Sequence, residues 1–375
     1  MAAEDESASD LIKHVLSQPG NEACADCGSL GPQWGSTSLG VLLCQACSII
    51  HKKILPANKV KHLSSWEVPE LKTLAENGNA AAKAKYEVVM PIYYYRPRRN
   101  DCQVLKEEWV KAKYERQEFV DPMKKQSYQE EVREGWLMKL GRDNGLFLKR
   151  KFVLREKDGK LKYYPKEDEK DPKAVINVET MNPTFQPEKI GHRNGLQITY
   201  QKEHRTRNLF LYHEDGKEIV DWFNTIRAVQ FKWLKLAFPA EGDQELLKRL
   251  PRNFLKEGFM EKTGPKKTES FKKRWFTLDK RRLLYFCDPL DAFPKGEVFL
   301  GHKDNGYSAG LGLPKGTESN GAWKHGITLD TPKRCYLFTC ESEGDQKDWL
   351  DHFNAIINTA MSPHDYAQES LLKHK

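Results

Sequence analysis

Four cysteines in the first fifty residues are spaced for a metal. Cys24-x2-Cys27, sixteen residues, then Cys44-x2-Cys47 is the arrangement in which each pair grips one side of a tetrahedral zinc ion through thiolates, and the intervening chain is long enough to fold back and join the knuckles. Four thiolates fill the tetrahedron and leave no position for water or substrate. The expected zinc, one per chain, therefore holds a fold and does no chemistry. His51, just beyond the cluster, is surplus as a ligand and is expected to pack or to hydrogen-bond. Cys102, Cys287, Cys335 and Cys340 are scattered without a spacing pattern, which reads as buried thiols in a reducing compartment and not as a disulfide framework.

A knuckle pair needs a small fold around it. SDLIKHVLSQPGN reads as a short helix capped by Ser9 or Asp10, with Leu11, Ile12, Val15 and Leu16 as its apolar face and Pro19-Gly20 as its stop. After the cysteines, VPELKTLAENGNAAAKAKYE and DCQVLKEEWVKAKYERQEF read as further helices separated by the turn MPIYYYRPRRN, whose aromatics are expected to pack in the core. DPMKKQSYQEEVRE reads as a polar linker. The result is a mostly helical zinc module over residues 9–130.

The rest of the chain is repetitive. EGWLMKLGRDNGLFLKRKFVLREKDGKLKYYPK from Glu134 lines up with EGFMEKTGPKKTESFKKRWFTLDKRRLLYFCDP from Glu257, about 120 residues later. Each block alternates apolar and polar residues as paired strands do, and each repeat closes on a helical pattern, Ile219, Phe223 and Ile226 in one and Trp349, Phe353 and Ile356 in the other. Strands first and one helix last is an antiparallel sheet capped by a helix. The period is far too long for a solenoid, so these are two copies of one domain, over 132–235 and 253–361.

Charge separates the two parts. Residues 1–130 hold 17 Lys/Arg against 17 Asp/Glu, and the remainder holds 44 against 36, so the whole excess of +8 lies in the repeats. A polyanionic partner is expected to meet the repeats, and the neutral zinc module is not expected to bind nucleic acid, which needs a basic surface. No stretch approaches the eighteen or so apolar residues of a membrane span, and the acidic start MAAEDESASD is unlike a signal peptide. A cytoplasmic protein is expected.

Cys24, Cys27, Trp34, Gly40, Cys44, Cys47 and His51, followed by two repeats with PIYYYRP, KAKYERQEF, GKEIVDWFN, GFMEKTGPK, KKRWFTLD and PLDAF, resemble the Arf GAP with dual PH domains family, also called the centaurin alpha proteins. The resemblance covers nearly the whole chain from Leu11 onward. It implies a multidomain fold: a four-cysteine zinc-finger GTPase-activating module and two pleckstrin homology domains, each an antiparallel β-sandwich or barrel capped by a C-terminal helix. It also implies an Arf-family small GTPase as partner and phosphoinositide membranes, phosphatidylinositol trisphosphate above all, as the site of reversible recruitment, here the plasma membrane.

In such domains, cations on the first two strands aim into a loop mouth that holds the headgroup. The matching positions are Lys139, Lys149, Lys151, Tyr163 and Lys173 in the first repeat and Lys262, Lys272, Arg274, Tyr285 and Lys295 in the second. Period-2 alternation lets 149/151 and 272/274 each share a face, and Arg274 adds a bidentate fork that lysine lacks. The resemblance places an arginine that enters the GTPase site five residues after the last cysteine; here that position is Lys52. Nearby, VKHLSSWE keeps Lys61, has His62 in place of a serine, and lacks the aspartate that the resemblance implies directly after the leucine. The first arginine anywhere is Arg96, so none is expected near Lys52. The chain performs no catalysis of its own in this reading: it either activates a GTPase weakly or serves as a lipid-dependent scaffold.

Overall fold

The structure, a computed structural model, describes residues 7–142, 144–203, 205–264, 269–317 and 321–373. The chain divides into two compact units. The first gathers Met1–Lys139, Phe147–Leu196 and Leu211–Pro251, and the second gathers Leu140–Leu146, Gln197–Phe210 and Arg252–Lys375. Most of the last hairpin of the first repeat therefore belongs with the second repeat.

The four-cysteine module opens with α1 (Ala8–Ser17), which buries Leu11 and Val15. Its cap is Ser7, not Ser9 or Asp10: the Ser7 hydroxyl accepts the Asp10 amide at 3.3 Å and donates to the Asp10 carboxylate at 2.6 Å. Asp10 thus sits inside the first turn, where a carboxylate offsets the unpaired amides. Strands β1 (Trp34–Ser36), β2 (Val41–Leu43) and, after α2 (Gln45–Ile54), β3 (Val60–His62) form a small sheet in the order β2-β1-β3.

The segment 68–86 breaks into α3 (Val68–Glu76) and α4 (Gly78–Tyr86). Gly78 turns left-handed at φ 72°, a conformation that other residues adopt at a cost. The buried Asn21 oxygen then accepts the Asn79 amide at 2.8 Å, and the Asn79 side chain accepts from the Leu42 amide and donates to the Ala23 carbonyl. Two asparagines thereby tie α4 to the sheet. Helix α5 (Gln103–Val110) runs on into a wider turn over Lys111–Glu115. The linker is more than a linker: Ser127–Gln129 forms a helical turn that buries Tyr128 against Tyr94, and the Ser127 hydroxyl donates to Asp221 at 2.5 Å.

The first repeat is β4 (Val132–Leu140), β5 (Phe147–Arg155), β6 (Lys160–Tyr164), β7 (Ala174–Asn177), β8 (Asn182–Phe185), α6 (Pro187–Ile190), β9 (Leu196–Lys202), β10 (Arg205–Tyr212) and α7 (Gly216–Ala237), followed by the short α8 (Asp243–Leu247). Its seven strands run β7-β6-β5-β4-β10-β9-β8. First and last strands are neighbours, as closing a barrel requires. Ile219, Phe223 and Ile226 are buried as their spacing predicts, with Trp222 beside Phe152.

The second repeat has the same order: β11 (Lys256–Lys262), β12 (Lys272–Asp279), β13 (Arg282–Phe286), β14 (Gly296–Phe299), β15 (Ser308–Leu311), β16 (His325–Asp330) and β17 (Cys335–Cys340) run β14-β13-β12-β11-β17-β16-β15. Helix α9 (Glu343–Ile357) buries Trp349, Phe353 and Ile356 over the core. A further helix, α10 (Pro363–Lys373), follows. Arg281, itself buried, holds the α9 to α10 junction by donating to the Ile356, Thr359 and Ala360 carbonyls and pairing with Asp365. Among the described residues no helix is long and apolar enough to cross a membrane.

Candidate metal centre and phosphate-binding mouths

The four cysteines converge. Their sulfurs lie within 4.8 Å of one another, and Cys27 and Cys44 are 3.6 Å apart, too far for a disulfide and close to the roughly 3.8 Å edge of a tetrahedron with about 2.3 Å metal–sulfur bonds. Cys24 and Cys27 sit on a tight knuckle in which the Gly28 amide returns to the Cys24 carbonyl at 3.0 Å. Cys44 caps α2 and Cys47 lies in its first turn, where the helix N-terminus favours thiolates. Hydrogen bonding among the thiols lowers Cys27 and Cys44 and raises Cys24 and Cys47, and four thiolates this close need a cation among them to offset their repulsion. The donor set fits a soft divalent ion in a closed, structural site.

Asp26, between the knuckle cysteines, organises what surrounds them. It is 1 % exposed, and its carboxylate meets His51 Nε2 at 2.7 Å, the Trp109 indole at 3.3 Å, the Tyr114 hydroxyl at 3.0 Å and the Lys113 ammonium at 3.7 Å. Burial pushes its pKa up, but the charges and hydrogen bonds of His51, Lys113 and Tyr114 outweigh burial and bring it to about 2. His51 Nδ1 faces the Asn58 amide at 3.0 Å. With both ring nitrogens engaged, His51 is a brace for α2 and not a metal ligand.

Bracing His51 inward turns the next two residues outward. Lys52 is exposed and lays its ammonium 4.2 Å from the centre of the Trp34 ring. One turn earlier, Ile49 is 60 % exposed on the same face. Lys53 pairs with Glu107 of α5 at 2.9 Å, and the same carboxylate holds Arg193, from the turn after α6, at 2.5 Å. Arg96 is engaged elsewhere, paired with Glu87 and lying over Trp109. Arg193, brought from far along the chain, shares the Glu107 carboxylate with Lys53, and its guanidinium is engaged there and not at Lys52, which rests on Trp34.

In the second repeat Lys262 and Lys272 are directly paired across β11 and β12, and Arg274 stands opposite Met260. Met260 and Phe276 are buried, so by alternation Lys262, Lys272 and Arg274 share the inner, mouth-side face. Lys262 lies 4.6 Å from the Tyr285 ring centre. Burial, then the neighbouring Arg334 and Arg274, lower its pKa to about 8. Arg334, on the turn before β17, thus joins the cluster. The first repeat matches in Lys139, 5.5 Å from the Tyr163 ring centre. Lys173 and Lys295 are exposed, each giving its backbone amide to the carbonyl of its mouth tyrosine, at 2.9 and 2.8 Å.

Profiles of known families agree with this architecture. "Putative GTPase activating protein for Arf" matches residues 9–123, and "PH domain" matches 131–231 and 254–358. Arf-GAP with dual PH domain-containing protein 2 of Rattus norvegicus is 52% identical over 92% of this chain and 92% of its own length. The Homo sapiens protein of that name is 51% identical over 92% and 91%. The chain belongs to the Arf GAP with dual PH domains family. Arf-GAP with coiled-coil, ANK repeat and PH domain-containing protein 3 of Homo sapiens is similar only over 114 residues, 29% of this chain and 14% of its own, at 39% identity.

In the first PH domain the strand register corrects the expected cation set. Lys149 stacks 5.2 Å from Trp136, and Lys151 pairs with Glu134 at 3.3 Å. Trp136 and Glu134 alternate with the buried Leu137 and so occupy the outer face of β4, opposite Lys139. Lys149 and Lys151 do share a face, but the wrong one for the mouth. The residue in register with Arg274 is Arg150: each lies two before a core phenylalanine, Phe152 or Phe276, that packs on the mouth tyrosine, and each donates to the preceding carbonyl. Leu148 occupies the place of Lys272. Matching KFVL to WFTL by their core phenylalanines, instead of by the first lysine of each run, finds this register. Asp26, Arg193 and Arg334 carry no comparable sequence signal.

Proposed function

We propose that the protein is a phosphoinositide-recruited regulator of an Arf-family GTPase whose acceleration of GTP hydrolysis is weak. The observation that carries this reading is Lys52: it stands at the arginine position of the Arf GAP domain, on a helix anchored by two cysteines, exposed beside Ile49 and resting on Trp34. The surface for a GTPase is kept while the planar guanidinium is missing. Zinc is the metal that suits four buried thiolates in a closed site. Lys139, Arg150 and Tyr163 in the first PH domain, and Lys262, Lys272, Arg274, Arg334 and Tyr285 in the second, are the proposed headgroup contacts, with Lys173 and Lys295 at the rims. Two such mouths on one chain favour a membrane carrying several phosphates per headgroup, phosphatidylinositol trisphosphate of the plasma membrane, since two moderate sites on one surface gain avidity together. Between recruitments the protein is cytoplasmic.

A second reading, a lipid-dependent scaffold that binds the GTPase without activating it, is favoured by the engagement of both outward lysines, Lys52 with Trp34 and Lys53 with Glu107. The deciding experiment is GTP hydrolysis by an Arf GTPase with the full chain on vesicles containing phosphatidylinositol trisphosphate. Acceleration supports the first reading, co-sedimentation of the GTPase without acceleration supports the scaffold, and neither outcome would remove both.

A further inference from the structure

The second compact unit encloses a cavity of about 650 Å³ that none of Lys262, Lys272 and Arg274 lines. Arg205, from the last hairpin of the first PH domain, lines it together with Phe293, Lys333, Tyr336, Tyr307 and Glu369 of the second. The volume is that of a small-molecule site, which is roughly 300–1,000 Å³.

The walls are pinned together. The buried Asn208 donates its backbone amide to the Ala292 carbonyl at 2.9 Å and its side-chain amide to the Asp291 carbonyl at 3.2 Å, while the Arg282 guanidinium donates to the Thr206 hydroxyl at 2.5 Å. Asn208 is itself fixed by Gln197 and Thr199, which donate to its side-chain oxygen at 3.1 and 2.8 Å. A cavity with such walls is preformed, so little ordering cost opposes a ligand.

The chemistry of the lining selects one kind of ligand. Arg205 and Lys333 stand at the rim from different domains. Two further guanidinium groups back the rings: Arg207 lies 5.5 Å from the centre of Phe293 and Arg334 lies 4.1 Å from that of Tyr336. Of the two lining carboxylates, Glu297 is paired with Arg282, and Glu369 accepts the Tyr307 hydroxyl at 2.7 Å. Both lining carboxylates are thus engaged by neighbours, and the lining also offers two cations and the rings of Phe293 and Tyr336. A bare polyanion would leave the rings unused, and an apolar molecule without charge would leave the cations unused.

We propose that this cavity binds a phosphate monoester carrying an apolar body, with the phosphate between Arg205 and Lys333 and the body along Phe293 and Tyr336. A nucleoside monophosphate and lysophosphatidic acid share this chemistry. Because the two cations come from different PH domains, the bound phosphate bridges the hairpin of one to the β16 to β17 turn of the other.

The test is isothermal titration of the full chain, without membrane or GTPase, using AMP, lysophosphatidic acid below its micelle concentration, and inositol hexakisphosphate. The proposal expects AMP or lysophosphatidic acid to bind one per chain, at least tenfold more weakly to Arg205→Ala/Lys333→Ala and within twofold of wild type to Lys262→Ala/Arg274→Ala. Which probe binds identifies the source. Both substituted side chains are exposed, and a thermal melt within experimental error of wild type confirms the fold; Phe293→Glu, also exposed, is the second variant and is expected to abolish binding. Failure of both probes, equal loss in Lys262→Ala/Arg274→Ala, or equal binding of inositol hexakisphosphate dependent on Arg205 and Lys333 overturns the proposal. None of these results bears on GTPase regulation.

Discussion

Raising the pH from 7.5 to 9.5 should release an inositol polyphosphate from the second PH domain. Lys262 is the reason. Burial and the adjacent Arg334 and Arg274 bring its pKa to about 8, from an ordinary 10.5. With a pKa of about 8, roughly three-quarters of the lysine is charged at pH 7.5 and only a few per cent at pH 9.5. If the bound phosphate requires the ammonium, the apparent dissociation constant rises about 25-fold over that range, most of it above pH 8. The ligand's vicinal phosphates repel one another and lose further protons over this range, an effect common to wild type and Lys262→Arg, so the difference between their profiles reports Lys262. Loss of fold works the other way: a folded pKa below the unfolded one makes stability through this group rise between about pH 8 and pH 10.5. Titration calorimetry on the full chain carrying Lys139→Ala/Arg150→Ala isolates the second mouth. Lys262→Arg keeps its charge throughout and is expected to flatten the profile. A flat wild-type profile, or an equal fall in Lys262→Arg, refutes the argument.

Three other outcomes are expected. Lys139→Ala/Arg150→Ala should weaken sedimentation with phosphatidylinositol trisphosphate vesicles tenfold or more, while Lys149→Ala/Lys151→Ala, on the outer face, should change it less than threefold; the reverse order would sink the register assignment. Metal analysis should find one zinc per chain, worth on the order of 10 kcal/mol of folding energy in small sites. Its chelation should unfold the zinc module and lower the melting temperature of the first PH domain with it, because Tyr93 and Tyr95 hydrogen-bond to Arg227 and Asn224 of α7. Less than half an equivalent of metal in a folded sample counts against the site. Lys52→Arg should accelerate GTP hydrolysis at least a hundredfold over wild type, since an arginine finger is worth roughly 10³ to 10⁵ and release of the Trp34 contact costs only about 0.5–1 kcal/mol. Wild type equal to Lys52→Arg, with Lys52→Ala far below both, would show that lysine suffices.

Local chemistry was legible in the sequence. The cysteine spacing gave the metal site because two knuckles need only a short loop to meet, and the six helix positions from Ile219 to Ile356 were readable because a helix repeats every 3.6 residues whatever surrounds it. The two-copy organisation followed from like patterns. Helix α10 was not read, since its contacts run through Glu369, Asp365 and the distant Arg281 and Tyr307, and not through a continuous apolar stripe. The cap of α1 moved to Ser7 because two side-chain-capable residues, Ser9 and Asp10, follow it, and only the backbone conformation chooses among them.

Tertiary structure decided what depends on facing across a gap. Alternation states that Lys149 and Lys151 lie on one side of β5, but not which side; the burial of Phe152 and Leu154 settles that, and a shift of one residue exchanges the mouth for the outer surface. Asp26 looked like a spacer between two cysteines until His51, Trp109, Lys113 and Tyr114 closed on it. Arg193 reaches Glu107, and Arg205 lines one cavity with Lys333, from sequence separations at which no periodicity or motif operates. The sequence by itself determined which residues could hold metal and phosphate, because those are properties of side chains and short spacings. Which of them stand together was determined by how sheets and helices bury their apolar faces, a condition satisfied by the whole chain at once.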